Sequence, residues 1–245
     1  SRLLLTAVAV NRGFKVVLGQ KWLLHDNLPY MPPGVLLTKT LTPRDAHYME
    51  IARRHGYRTA NIDEEIPGLV ATRQGLRWVM RAAVDATDVI FAAGEDHFRA
   101  LVEKFPDRTD RFRTVGNPRW DLLRPELRTA WAEDVTQLRQ RYGRFLLINT
   151  NFGLTNSAKG DPQAVIRSLV RDGRIDLENS GDRAYLDTGW RLELANMASI
   201  KEVLRELPKH FPNHRFVLRC HPGERLDSWR EFARDIPQTV VVRDG

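Results

Sequence analysis

Cysteine is almost absent from this 245-residue chain, in which Cys220 is the only one. A single thiol excludes an intramolecular disulfide and a cysteine-rich zinc site. Long hydrophobic runs are also missing, because stretches such as FLLI fall far short of the roughly 20 residues that a membrane-spanning helix needs. No secretory signal pattern is visible. We therefore expect a cytoplasmic protein.

Several common catalytic and cofactor motifs are lacking as well. The chain has no G-x-G-x-x-G or Walker phosphate loop, no H-E-x-x-H and no D-x-D. The sequence therefore predicts neither a metal site nor a resident cofactor.

The charge balance favours anionic partners. The chain has 38 Lys and Arg against 31 Asp and Glu, a formal charge of +7, which suits nucleotides, acidic glycans, phospholipid headgroups or nucleic acid. The basic residues are spread through mixed-charge helices, and no helix-turn-helix, RNA-recognition or zinc-finger pattern is present. Nucleic acid is therefore the weaker interpretation.

Short β-rich runs alternate with amphipathic helical runs, which is typical of βαβ units and parallel sheets. The pattern predicts an α/β fold with two Rossmann-like halves: a domain over 1–128, a linker helix over 129–143 and a second domain over 144–245. We expect the first strand of the first half and the end of the second half to be missing. The predicted strands are 15–20, 34–40, 58–65, 88–94, 112–117, 144–150, 215–221 and 239–244. The predicted helices are 1–13, 44–56, 76–86, 95–105, 192–207 and 227–235, with Ser1 as an N-cap and a polar segment over 151–188.

Polar residues follow the predicted strands. Ligands of parallel α/β sheets bind beyond the carboxyl ends of the strands, so these residues together predict a cleft between the two halves, although each alone suits an ordinary strand exit. On the first half, the candidates to contact an anionic ligand are Gln20, Lys21, Lys39, Asn117 and Arg119. For Lys21, Lys39 and Arg119, a structural ion pair is the simpler interpretation.

The stretch FVLRCHPGE is the strongest candidate for a phosphate site. Successive side chains of a strand point to opposite faces. Arg219 and His221 are therefore expected on one face and Cys220 on the other, in the core. Gly223 lets the chain approach a ligand and is expected to leave later amides free to face it. The alternative is a plain turn with a half-exposed histidine. The candidates to contact a phosphate or nucleotide are Arg219, His221, Gly223, Glu224, Asn151, Gly153 and Asn156.

An acidic cluster, Asp63, Glu64 and Glu65, closes the strand at 58–65. Crowded carboxylates raise one pKa toward neutrality and so supply a general base, but a solvated acidic loop fits equally well. His97, beside two acidic residues in the first turn of a helix, is interpreted as a surface residue.

The combination of DEE, GNPRWD at 116–121 and RCHPGE at 219–224 resembles the bacterial surface carbohydrate biosynthesis proteins, which are glycosyltransferases of the GT-B fold. A more distant likeness extends to bacterial sialyl-, polysialyl- and Kdo-transferases and to CDP-glycerol glycerophosphotransferases. The resemblance implies that His221 and Pro222 contact the donor phosphate. It also implies that the acidic cluster holds the base, with Glu64 first and Glu65 second. The family motif is acidic-acidic-Gly, whereas Ile66 and Pro67 here separate Glu65 from Gly68.

The implied reaction transfers a sugar, with a CMP-activated keto-sugar acid as one donor, to a glycan or lipid-linked glycan without a metal. The alternatives are a CDP-glycerol-type glycerophosphotransferase, a nucleotide-sugar epimerase, or a fragment that binds nucleotide or glycan without turnover. A basic protein that handles lipid-linked glycans can contact the inner face of the membrane, but no helix here is cationic and apolar enough to indicate such contact.

Overall fold

The computed structural model describes residues 1–65 and 75–243. The chain divides into two compact units, Ser1–Ala130 and Trp131–Gly245. Each unit contains helices and a purely parallel sheet, so the predicted α/β class with parallel sheets is confirmed.

The first unit has a four-stranded sheet in the order β1-β2-β3-β4. Its strands are β1 (Val35–Thr38), β2 (Arg58–Ile62), β3 (Val89–Ala92) and β4 (Phe112–Thr114). Its helices are α1 (Arg2–Asn11), α2 (Lys21–Asn27), α3 (Pro43–Arg54), α4 (Arg81–Asp85), α5 (Glu95–Lys104) and α6 (Pro118–Asp121). Short 3-10 turns occupy Leu28–Tyr30, Gly75–Trp78, Pro106–Arg111 and Pro125–Trp131. The main core of the unit packs helices on the sheet through residues such as Met49, Val84, Ile90, Leu101 and Phe112.

The second unit has a three-stranded sheet in the order β5-β6-β7. The strands are β5 (Phe145–Asn149), β6 (Arg215–Arg219) and β7 (Thr239–Val242), and the helices are α7 (Ala132–Tyr142), α8 (Pro162–Arg171), α9 (Ser180–His210) and α10 (Leu226–Ala233). Strand β6 lies in the middle, which explains why Phe216, Val217 and Leu218 are all buried. The core of the unit adds Leu204, Cys220 and Trp229.

The parallel direction of the strands sets where candidate ligands can bind. The carboxyl ends of β1 to β4 meet at one edge of the first sheet, here named the first carboxyl edge. Those of β5 to β7 meet at the second carboxyl edge.

Three predicted elements differ from the structure. The strand at 15–20 is wrong, because those residues have no regular structure and the Val17 side chain is 67 % exposed. A β-prone run becomes a strand only when a neighbouring strand accepts its hydrogen bonds. The helix at 76–86 is a 3-10 turn followed by α4.

The third difference is in the polar segment 151–188, which contains α8 and the start of α9. Helix α9 has 31 residues and begins earlier than predicted, since Asn179 accepts a hydrogen bond from the Asp182 amide as its N-cap. Among the helices of residues 1–65 and 75–243, none has the length and apolar character to cross a bilayer.

Candidate functional site

At the first carboxyl edge, Glu65 is held by cations. Its Oε1 lies 2.6 Å from Lys39 Nζ and 3.6 Å from an Arg119 guanidinium nitrogen. The Glu65 amide donates to Asp63 Oδ1 at 2.9 Å. The hydrogen bond from Lys39 is the largest influence on the Glu65 carboxyl and, with Arg119, lowers its pKa. Glu65 is therefore ionised and paired at neutral pH, which makes it a weak base.

Glu64, the first choice for the base, is buried. The Ser1 hydroxyl donates to Glu64 Oε2, and Arg2 Nε lies 3.3 Å from Oε1. The Asn117 side-chain amide donates to the Glu64 carbonyl at 3.1 Å. Ser1 precedes α1 as predicted, but its side chain makes no capping hydrogen bond. The Ser1 hydroxyl instead donates a hydrogen bond to the Glu64 carboxylate.

The other residues predicted on the acceptor side are largely engaged within the unit. Lys21 pairs with the fully buried Asp45. Burial opposes ionisation of Asp45, but Lys21 and two threonine hydroxyls outweigh it and lower the pKa. Asn117 caps α6 by accepting from the Arg119 amide at 2.9 Å, while Gln20 is exposed.

The structure therefore brings Lys39, Glu65 and Arg119 together at the first carboxyl edge, but as partners of one another. Ile66, Pro67 and Gly68, on which the acidic-acidic-Gly comparison depends, lie outside the described residues.

At the second carboxyl edge, His221 and Arg219 are both exposed, on the side predicted by the alternation. The Gly223 amide donates to His221 Nδ1 at 3.0 Å, so the proton of the neutral ring sits on Nε2. His221 thus offers an N–H donor to a ligand. Within the described residues, no carboxylate pairs with Arg219.

The expectation that Gly223 frees backbone amides is wrong, because the turn uses them itself. Beside the Gly223 amide, the Glu224 amide donates to the His221 carbonyl at 2.9 Å and the Arg225 amide to the Asn156 carbonyl at 2.8 Å. Glycine suits this position, since a Cβ at Gly223 would lie 3.1 Å from His221 Nδ1 and would push the imidazole from its place. What the turn contributes to the site is the His221 imidazole, which the Gly223 amide holds in one orientation.

Glu224 organises this turn. Its side chain is fully buried, and its Oε1 accepts from Thr150 Oγ1 at 2.7 Å and from the His221 amide at 3.1 Å. Its Oε2 accepts from Trp229 Nε1 at 2.8 Å and from Asn156 Nδ2 at 3.5 Å. Glu224 and Asn156 are therefore buried beneath the turn and stabilise it. They do not face a phosphate, contrary to the prediction.

Two predicted residues of the loop after β5 remain accessible. Asn151 is exposed, and a Cβ built on Gly153 would meet no heavy atom within 4 Å. Both residues can therefore be reached from solvent.

Arg243 is a candidate that the sequence interpretation missed. It directly follows β7, and one of its guanidinium nitrogens donates to the Glu224 carbonyl at 2.8 Å. Its Nε is buried and has no hydrogen-bond partner among the described residues. The signal was present, because an arginine ends the third parallel strand just as Arg219 ends the second.

Cys220 belongs to the core of the second unit, as predicted. Burial raises the pKa of its thiol to about 11, with Glu224 adding to the effect. A thiol of this kind is protonated at neutral pH and is a poor nucleophile.

His97 is not on the surface, contrary to its sequence interpretation. It is buried, its Nδ1 accepts from the Ala93 amide at 3.0 Å, and burial lowers its pKa to about 4. The i, i+3, i+4 spacing with the buried Ala100 and Leu101 would have revealed this.

Across 1–65 and 75–243, no group of three or more His, Cys, Asp or Glu side chains is arranged to hold a metal ion. Comparison of the chain with protein-family models, curated proteins and solved structures finds no match.

Proposed function

We propose that this chain is a GT-B-type glycosyltransferase of bacterial surface polysaccharide biosynthesis, and that its second unit binds the phosphate of a nucleotide-sugar donor. The observation that carries the proposal is the cationic second carboxyl edge. It has Arg219 and His221 at the end of β6 and Arg243 at the end of β7, and no carboxylate of the described residues pairs with any of them. Phosphate groups bind to such sets of charged and neutral N–H donors.

In this role, the edge stabilises the leaving group. When the bond between the anomeric carbon and the phosphate oxygen breaks, its electron pair stays on the nucleotide phosphate. The two guanidinium groups and the His221 Nε2–H stabilise that charge by hydrogen bonds that strengthen as the charge develops. The acceptor hydroxyl oxygen forms the new bond to the anomeric carbon, and its proton passes to a carboxylate.

Glu64 remains the proposed base. The lowered pKa of Glu65, caused first by the hydrogen bond from Lys39, argues against Glu65 in this role. When Glu64 acts as the base, its Oε2 keeps the hydrogen bond from the Ser1 hydroxyl, and the proton passes to Oε1, which has an ion pair with Arg2 but no hydrogen-bond partner among the described residues.

A second candidate function is nucleotide or glycan binding without turnover. It is favoured by the acidic cluster, in which each carboxylate already accepts a hydrogen bond or ion pair within the unit. Donor binding is common to both candidates, and the two differ in turnover.

Calorimetry with CMP, CDP and UDP tests donor binding. Arg219→Ala and His221→Ala should each weaken the preferred nucleotide about tenfold or more, since a charge-assisted hydrogen bond contributes about 1.5–3 kcal/mol. The matched control is Arg215→Ala, an exposed arginine at the opposite end of the same strand. Failure of all three nucleotides to bind, or equal effects of the Arg219 and Arg215 variants, would contradict the proposal.

Turnover separates the two candidates. If Glu64 is the base, Glu64→Gln abolishes transfer and spares nucleotide binding, while Glu65→Gln retains part of the activity. Transfer that is unchanged in Glu64→Gln removes this residue from the mechanism. Binding without any transfer by the unmodified protein supports the second candidate.

A further inference from the structure

The loop after β5 contains a second set of hydrogen-bond donors. The Leu154 amide, the Thr155 amide and the Thr155 hydroxyl lie 3.1, 3.0 and 3.1 Å from a single atom, Oε2 of Glu193 on α9. We name these three donors the amide nest. Within the ranges that the structure describes, no lysine or arginine forms an ion pair with Glu193.

The amide nest has the donor set that proteins use for phosphate oxygens. Successive backbone N–H groups in a turn form a concave anion site, and a hydroxyl adds a third donor. Here the turn is closed by the Asn156 amide, which donates to the Phe152 carbonyl at 2.8 Å. A carboxylate oxygen and a phosphate oxygen are alike as charged acceptors, so Glu193 occupies the nest as a phosphate oxygen would.

The amide nest lies at the second carboxyl edge, beside the turn that carries His221. Ala158 donates its amide to the Gly223 carbonyl at 2.7 Å, and the Arg225 amide donates to the Asn156 carbonyl. Ser157 and Glu224 form a bridge between the same two segments. The loop and the turn are thus one connected structure.

A ligand can reach the amide nest. Leu154 and Thr155 are both partly exposed, and the space beside Gly153 is open. Glu193 is itself only half-buried, and its chain neighbours Leu192 and Leu194 on α9 are exposed. A change of its side-chain rotamer moves the carboxylate out of the nest without unfolding the helix.

We propose that the amide nest binds a phosphoryl oxygen of the nucleotide donor and that Glu193 occupies it when no donor is bound. The proposal rests on the proposed donor-binding function of the second unit. Glu193 is thus an internal competitor of the donor phosphate, and its negative charge opposes donor binding.

Glu193→Gln tests this directly. Glutamine keeps an oxygen acceptor for the loop but loses the charge, so CMP or CDP should bind about fivefold or more tightly, because neutral acceptors make weaker hydrogen bonds than charged ones. Adding Thr155→Val to Glu193→Gln should reverse most of the gain. Glu202→Gln, an exposed carboxylate on the same helix, is the matched control and should leave affinity unchanged. A gain with CDP alone assigns the nest to the second phosphate, and an equal gain with CMP assigns it to the first.

The result that overturns the inference is wild-type nucleotide binding that Glu193→Gln leaves unchanged or weakens. Glu193 then only anchors the loop, and the proposed function stands. If neither protein binds any nucleotide, both proposals fail. A second measurement uses the unmodified protein: the Leu154 and Thr155 amide resonances should shift on titration with CDP. Saturation by CDP without a shift of either resonance would also overturn it.

Discussion

The two carboxyl edges occupy the same place in the topology of their sheets, yet they use charge differently. At the first edge, Lys39 and Arg119 pair with Glu65, and Lys21 pairs with Asp45. At the second edge, Arg219 and Arg243 have no carboxylate partner among the described residues. Cations that already have internal partners offer little to a ligand, whereas unpaired ones attract an anion. The position of a residue at a strand end therefore suggests a ligand site only when its partners are also known.

The largest loss of stability is expected from removing Glu224, the buried carboxylate beneath the second edge. Glu224→Ala leaves the Thr150 hydroxyl, the His221 amide and the Trp229 indole N–H without their acceptor. The free energy of unfolding of the second unit should fall by about 4 kcal/mol, because unsatisfied buried donors cost about 1–3 kcal/mol each. Urea unfolding followed by tryptophan fluorescence measures this change.

Glu231→Ala, an exposed carboxylate on α10, is the control for Glu224→Ala and should stay within about 0.5 kcal/mol of wild type. If the two variants are equally stable, the buried Glu224 carboxylate does not hold the turn. The exposed position of His221 at the second edge then has another cause.

The second largest effect is the pH dependence of stability that comes from His97, the buried imidazole of the first unit. Burial lowers the pKa of His97 from 6.5 to about 4. The unfolded chain therefore binds a proton at a higher pH than the folded one. The stability linked to neutral His97 is complete above pH ~6.5 and is lost as pH falls toward ~4, by about 3 kcal/mol in all.

Urea unfolding at pH 7 and pH 4.5 measures this dependence. In His97→Gln, the decrease in the free energy of unfolding between the two pH values should be smaller than in wild type by about 2–3 kcal/mol. His55→Gln, which replaces an exposed histidine of the same unit, should keep the wild-type decrease. An equal decrease in wild type and His97→Gln would mean that the folded protein protonates this imidazole.

The smallest change in stability should come from opening the first edge. Glu65→Gln removes an exposed ion-pair partner of Lys39 and Arg119, at a cost of less than about 1 kcal/mol. The two released cations should then bind inorganic phosphate, so the first edge becomes more like the second. Phosphate titration by calorimetry, with and without Glu65→Gln in the double Arg219→Ala, His221→Ala background, measures the binding that the first edge gains.

Glu95→Gln, an exposed carboxylate that begins α5, is the control for Glu65→Gln and should not create phosphate binding. The wild-type protein should also begin to bind phosphate at this edge as pH falls through the lowered pKa of Glu65, because protonation breaks its ion pairs. Phosphate binding that is equal in the Glu65 and Glu95 variants would show that the ion pairs do not close this edge.

Much of the second edge was predictable from local sequence. The alternation in RFVLRCH placed Arg219 and His221 on the exposed side and Cys220 in the core, because side chains of a strand alternate between its faces. The roles of Asn156 and Glu224 were not predictable in the same way. Glu224 is bonded to Thr150, 74 positions away, and no local pattern reports a contact of that range.

The first edge shows the same limit. The sequence indicated which strand ends carry polar residues, and Lys39, Glu65, Asn117 and Arg119 do lie there. It could not show that the Asn117 side chain binds the Glu64 carbonyl or that Lys39 and Arg119 share one carboxylate. The strand predicted at 15–20 was wrong for a related reason, since pairing with a neighbouring strand decides whether a β-prone run becomes a strand.

The sequence by itself determined the α/β class, the parallel strands and the polar residues at their carboxyl ends, because hydrophobic periodicity and strand direction act over a few residues. Only the tertiary structure decided which of those residues are available to a ligand. Burial lowers the pKa of His97, ion pairs occupy Glu65, and a turn uses its own amides and holds Glu224 in the interior. Each of these depends on groups brought together from distant positions of the chain, where desolvation and charge pairing outweigh local preference.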